Sequence, residues 1–206
     1  MTPGKRLLDL SLAVVLVLVL ALPILVIAVW ILIVDGRPIF YRSERMKSPT
    51  GPFTLWKFRT MTSDGNDTGV SAGYKQSRIT RTGRHLRAAR LDELPQLLNI
   101  LKGDMSFVGP RPPLRRYVEL RPDLYGRVLQ NRPGVTGLAT LVFHVKEEQL
   151  LARCSSSEET DRTYLARCVP AKARLDLLWC RNRSFCYDIR LIWETVRRVI
   201  ARRRLK

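Results

Sequence analysis

The longest apolar run lies near the start of the chain, where residues 10–34 carry no charge. About 20 apolar residues suffice to cross the hydrocarbon of a bilayer, so length alone predicts a membrane helix. Two features point to a path that enters and returns. Pro23 stands near the middle of the run, and its missing amide donor favours a break there. Lys5 and Arg6 precede the run while Arg37, Arg42, Arg45 and Lys47 follow it, so the positive-inside bias gives no orientation. A break inside the membrane needs cover for its freed backbone groups, and the residues alone rank a straight span slightly above a re-entrant one. Asp9, the length of the run and the lack of a small-x-small site weigh against a cleaved signal peptide.

Beyond a turn at Asp35-Gly36-Arg37-Pro38 the pattern shortens. Residues 39–41 are apolar and β-prone, residues 42–51 read as a basic loop, and residues 53–61 alternate as in a short strand. Lys57 and Arg59 then share a face and can grip a diphosphate. Residues 62–76, rich in Ser, Gly, Asp and Asn, read as a mobile loop and candidate lid. Leu86, Leu91, Leu94, Leu97, Leu98 and Leu101 fall at helical spacing. That helix is expected to begin at His85 after a turn at Gly83, kink at Pro95 and stop at Gly103. Residues 116–127 predict one short helix or two, broken at Pro122, and residues 171–181 and 187–201 predict two more. The last carries Ile189, Ile192, Trp193, Val196, Val199 and Ile200 as one stripe beside Arg190, Arg197 and Arg198. Such a stripe suits a membrane surface, with the protein core or a second copy in a homodimer as alternatives. The expected architecture is mostly α with short β elements: an anchor over residues 1–36 and one domain over residues 37–206, with interfacial amphipathic helices.

Charge narrows the class of partner. Lys plus Arg number 36 against 18 Asp plus Glu, a net charge of +18. This implies an anionic partner, and no nucleic-acid module accompanies it. Cys154, Cys168, Cys180 and Cys186 have no CxxC spacing, which argues against zinc and for reduced thiols.

The candidate chemistry lies in residues 87–112. Asp92 and Glu93 sit among Arg84, Arg87, Arg90 and Arg111. Taken alone, an Asp-Glu pair on a helix is usually solvated surface. Among arginines, one carboxylate can attack phosphorus while the other helps hold Mg²⁺. Neighbours on a regular helix diverge by about 100°, so a distortion at Pro95 or a division of roles is required. Arg111 is framed by prolines that leave it few conformations, which suits a phosphate clamp. Arg132 and the glycine-rich stretch after it offer a further phosphate contact, or a plain turn.

KFRTM at 57–61, SRITRTGRHLR at 77–87, LDELPQLLNILKGDMSFVGPRP at 91–112 and RPGVTGL at 132–138 occur in this order. In these blocks the chain resembles the bacterial sugar transferases of the monotopic phosphoglycosyl transferase family, along nearly its whole length. The resemblance implies transfer of a phosphosugar from a UDP-sugar to polyprenyl (undecaprenyl) phosphate with release of UMP, on the cytoplasmic face of the bacterial inner membrane. It implies a re-entrant helix broken at Pro23, which reverses the preference for a straight span. It makes Asp92 the nucleophile of a covalent phosphosugar intermediate, and Asp92 with Glu93 the carboxylates near Mg²⁺. Lys57, Arg59, Arg87, Arg111 and Arg132 become the phosphate-binding set. After Leu138 the chain reads ATLVFHVKEEQLLA, where the larger family shows a tryptophan and then a Gln-, Asn- and Gly-rich run, so nucleotide and sugar contacts over residues 140–146, His144 among them, are not carried over. Two other readings compete: a non-enzymatic, membrane-tethered basic protein, and a nucleotide-sugar hydrolase.

Overall fold

The computed structural model describes residues 2–62 and 77–204, so the loop expected over residues 62–76 falls outside it except for Thr62. The apolar run forms one helix, α1 (Pro3–Val34), which starts on a Thr2 side-chain cap and continues through Pro23. One face packs on the rest of the chain along the whole length of α1. Ala13 shares a buried cluster with Phe53, Leu55 and Ile100, and Ile27 with Ile31 shares another with Phe58 and Leu86. The opposite face leaves Leu18, Val19, Leu22, Leu25 and Ile33 exposed.

Both ends of α1 are tied to the domain. At the start, Arg6 donates to the carbonyls of Ile100 (2.7 Å) and Leu101 (3.0 Å), and Lys5 pairs with Asp188. At the far end, Arg59 donates to the carbonyls of Asp35 (2.6 Å) and Gly36 (2.7 Å), while Thr82 donates to the Asp35 carboxylate. The orphan carbonyls that end a helix are thereby satisfied by side chains from distant sequence.

β1 (Phe40–Met46) and β2 (Pro52–Phe58) form an antiparallel hairpin with Ser43 opposite Leu55. The basic loop expected from residue 42 is therefore strand as far as Met46, because the ladder to β2 outweighs its polar composition. The alternation in β2 holds for Phe53 and Leu55, and Phe58 is then also buried, beneath α1. α2 (Arg81–Ala88) begins four residues before the expected start, since the Thr80 hydroxyl caps Gly83 N–H at 3.1 Å. Gly83 lies within the helix, where a Cβ would stand 2.3 Å from the Thr60 carbonyl oxygen.

The single kinked helix expected next is three pieces. After α2 comes Arg90 in left-handed backbone at φ 54°, a 3₁₀ segment Leu91–Gln96, and then α3 (Leu97–Lys102), closed by Gly103 at φ +86°. β3 (Ser106–Val108) pairs in parallel with β4 (Gly134–Thr136). Here Gly109 and Gly134 pass backbone to backbone: a Cβ on Gly134 would come within 2.1 Å of Gly109 N. The glycines of both motifs thus allow this close backbone approach.

The rest is helical: α4 (Arg115–Leu120), α5 (Pro122–Val128), α6 (Leu138–Leu151), α7 (Ser157–Thr163) with a π turn to Cys168, α8 (Val169–Asn182) and α9 (Phe185–Arg204). Tyr117, Val128, Phe143, Tyr164 and Val169 fill the core among them. Burying side chains of this size stabilises by about 1.5–3 kcal/mol each. On α9, Phe185, Ile189, Trp193, Val196 and Ile200 face outward, while Ile192 packs inward against the Trp179 cluster, not with the outer stripe. All four cysteines are free thiols.

Candidate active site

The 3₁₀ segment decides the site. Its tighter winding and Pro95 let both acidic side chains turn inward, and Asp92 and Glu93 are 8% and 9% exposed. Glu93 Oε1 accepts from Lys57 Nζ at 2.8 Å and from Arg111 at 2.9 Å, and Arg90 stands 3.8 Å from Oε2. Two segments far from it in sequence, β2 and the proline frame after β3, therefore converge on one carboxylate, joined by Arg90 from the turn just before it. Burial alone would raise Glu93, but Lys57 and Arg111 outweigh it and hold the carboxyl well below its usual range.

Asp92 behaves differently. No described residue donates a hydrogen bond to its carboxyl group, which lines a cavity of about 470 Å³. Burial pushes it above the usual aspartate range; Lys57 opposes that shift and the neighbouring Glu93 charge adds to it. Adjacent acids with opposite shifts have different jobs: Glu93 is a fixed anion that organises cations, and Asp92 is a less solvated, unengaged carboxyl facing open space.

The supporting contacts are specific. Asn99 on α3 donates to the Thr54 carbonyl (2.7 Å) and accepts from Trp56 N–H (3.1 Å), which locks β2 against α3 and sets the reach of Lys57. Arg87 lines the cavity and is aimed by Thr60 Oγ1 at 3.0 Å. Arg45, Arg78 and Arg90 also line it. Arg59 also lines the cavity, with its Nη2 donating to the end of α1 and its buried Nε without a hydrogen-bond partner. Arg132 lies outside the lining, with its Nη1 beside Gly103 and without a hydrogen-bond partner. Lys57, Arg59, Arg87, Asp92 and Arg111 are thus gathered at one cavity, with Glu93 behind them, whereas Arg132 is not. Sequence reasoning missed Asn99, Arg45 and, at the far end, Glu147, Lys172 and Asp176. Of these only the lone Asp176 amid apolar neighbours carried a sequence signal.

Mg²⁺ takes one or two carboxylates and fills its shell with water and phosphate oxygens. Among the described residues no group of three or more acidic, His or Cys side chains could cage a metal. An unengaged Asp92 beside Glu93 fits an ion completed by substrate oxygens, with Asp92 the freer ligand.

This geometry can stabilise a diphosphate beside a carboxylate, and the chain's relatives bear on which one. A sequence model described as "Bacterial sugar transferase" matches residues 2–202. The uncharacterized sugar transferase EpsL of Bacillus subtilis (strain 168) is 37% identical over 196 residues, 95% of this chain and 87% of that one. The UDP-glucose:undecaprenyl-phosphate glucose-1-phosphate transferase of Caulobacter vibrioides is 44% identical over 140 residues, 66% of this chain and 52% of that one. The UDP-N-acetylgalactosamine-undecaprenyl-phosphate N-acetylgalactosaminephosphotransferase of Aeromonas hydrophila is 29% identical over 202 residues, 95% of this chain and 43% of that one. The chain spans about half the length of these last two relatives or less.

Proposed function

Because the chain belongs to the bacterial sugar transferase family, we propose that it moves a sugar phosphate from a UDP-sugar to undecaprenyl phosphate through a covalent intermediate on Asp92. The observation that carries this reading is the unbonded Asp92 carboxyl facing a cavity lined by Lys57, Arg87 and Arg111. In the first step an Asp92 oxygen attacks the phosphorus that bears the sugar. The bond from that phosphorus to the bridging oxygen breaks, and UMP leaves with the electron pair. In the second, an oxygen of the lipid phosphate attacks the same phosphorus, the bond to Asp92 breaks, and the carboxylate is restored. A carboxylate nucleophile divides one difficult transfer into two displacements.

Attack by an anion on a diphosphate needs the repulsion offset, and the cations held by Glu93 are already oriented for it. Asp92, with Glu93 behind it, would hold Mg²⁺, which when bound would help neutralise the charge on the leaving group. Burial keeps Asp92 poorly solvated, which favours its reaction once ionised.

The acceptor is a lipid, so the cavity must open beside a membrane. α1 has an outward apolar face and both ends tied to one domain. That supports a monotopic insertion that enters and leaves on one side, since a straight span would carry one end across the bilayer; the re-entrant reading puts its turn at Pro23, through which α1 runs as one helix. The domain then lies on the cytoplasmic face of the inner membrane. The outward Trp193 and Ile200 stripe of α9 suits the same surface.

The test is UMP release by purified protein given a panel of UDP-sugars and Mg²⁺. Turnover should require undecaprenyl phosphate, with at most one UMP per enzyme in its absence. Absence of UMP from every donor refutes the reading, and sustained release without lipid makes the protein a hydrolase.

A further inference from the structure

The cavity has a second pole that the chemistry above does not use. It lies between α6 and α8, in the largest core of the domain. Lys172, Ala173 and Asp176 line it from one face of α8, and Thr140, His144 and Glu147 from one face of α6. Lys172 donates to both Glu147 oxygens, at 2.9 and 3.1 Å, and to the Tyr164 hydroxyl at 3.3 Å. Asp176 is 7% exposed, and no described residue makes a hydrogen bond to its carboxyl group. Its oxygens open onto the cavity with no described protein group bonded to them, so a polar ligand there meets a hydrogen-bonding group already in place. Burial pushes its pKa up to about 7, against the pull of Lys172. Near neutral pH the group is thus about half protonated, able to donate a hydrogen bond in its acid form and to accept one in either form.

We propose that Glu147, Lys172 and Asp176 form the pocket that recognises the donor's sugar, with Asp176 bonded to a sugar hydroxyl or acylamino group. This rests on the UDP-sugar reading. Neighbouring contacts connect the two poles: Tyr41 stands opposite Lys57 in the hairpin, Lys57 and Arg111 share Glu93, Arg111 interacts with the charges of Asp92 and Glu147, and Lys172 stands between Glu147 and Asp176. UMP must leave and a lipid phosphate must arrive between the two displacements, and both need an open end: Pro38 and Tyr41 are exposed, whereas Lys172, Ala173 and Asp176 are buried. The sugar alone stays through both steps, so it occupies the enclosed pole. A polyprenyl chain would find no use for a buried ion pair and an unsatisfied acid. Uracil could also bond to a neutral carboxyl, and the test separates it from the sugar.

The experiment measures kcat/KM for a panel of UDP-hexoses and UDP-N-acetylhexosamines, and UMP affinity by calorimetry, on full-length protein in detergent. Asp176→Leu should fold, because it replaces an unsatisfied acid with an apolar group of similar size. It should lower kcat/KM for the preferred donor by about 10- to 100-fold, compress the preference among donors, and leave UMP affinity unchanged. Asp176→Asn, which keeps a donor and an acceptor, should retain the preference and most of the rate. An equal loss for all donors with weakened UMP binding overturns the proposal in favour of uracil. An unchanged donor profile in a folded Asp176→Leu protein overturns it outright. Should Asp176→Leu not fold, a changed donor profile in Asp176→Glu, which pushes the acid deeper into the pocket, supports the proposal and an unchanged one overturns it. Wild-type protein that uses no UDP-sugar defeats the underlying reading and this one with it.

Discussion

Glu93 is the anion on which the cation cluster depends, and removing its charge tests that directly. In Glu93→Gln the shape is kept, but Lys57 and Arg111 lose the carboxylate they share at 2.8 and 2.9 Å. Breaking a buried ion pair from one side costs about 3–5 kcal/mol. The Lys57 side chain is 19% exposed and Arg111 37%, so water recovers part of that, more for Arg111. A net loss of about 2–3 kcal/mol is expected at neutral pH. For a chain of this size it lowers the melting temperature by about 4–12 °C. The pH dependence has a definite sign. Folding lowers the Glu93 pKa, so its stabilisation is present above the unfolded value, about 4.3, and is lost as pH falls through the folded value. The gap between wild type and Glu93→Gln should be full at pH 7 and shrink below about pH 4. Denaturant unfolding of wild type, Glu93→Gln, Lys57→Met and the double variant should give a coupling of about 1.5–3 kcal/mol. Additivity within about 0.5 kcal/mol would falsify the view that Glu93 holds the cations in place.

Three further outcomes follow from the same geometry. Asn99→Ala, at a fully buried position that pins the β2 backbone, should cost about 2–3 kcal/mol and slow turnover by displacing Lys57, read by unfolding and UMP release together. Gly134→Ala puts a methyl 2.1 Å from Gly109 N, where only backbone can yield, so the protein should be recovered poorly or without activity. Asp176 has a raised pKa, so its acid form favours the fold below the unfolded value, about 3.9, and that contribution is lost as pH rises to about 7. Unfolding followed from pH 5 to 8 should therefore show Asp176→Asn gaining on wild type as pH increases.

Local signals carried the acidic pair, Lys57 and the proline-framed Arg111, because each lies in a segment whose composition announces it. The same signals do not say what a long cation will reach. Arg59 shares a strand face with Lys57 by alternation, yet it ends on the carbonyls of α1, which approach from more than twenty residues away in sequence. Arg132 precedes a glycine-rich stretch that looks like a phosphate loop, but those glycines allow the close backbone approach to Gly109 beside the parallel pair β3 and β4. The break at residues 89–91 was hidden because the leucine spacing continues across it, and only the left-handed Arg90 reveals that the helix stops. The α6–α8 pole was out of reach for a similar reason. Glu147 and Lys172 become partners only when two helices pack, and nothing within either helix specifies the other.

The central claim is that Asp92 itself carries the sugar phosphate between donor and lipid. Intact-mass and peptide mass spectrometry of protein quenched after exposure to UDP-sugar and Mg²⁺, with no lipid present, tests it most directly. The account predicts a mass increase of one sugar phosphate on the peptide containing Asp92, removed by adding undecaprenyl phosphate and absent from Asp92→Asn. Active protein that shows no adduct there, or Asp92→Asn protein that still turns over, contradicts it.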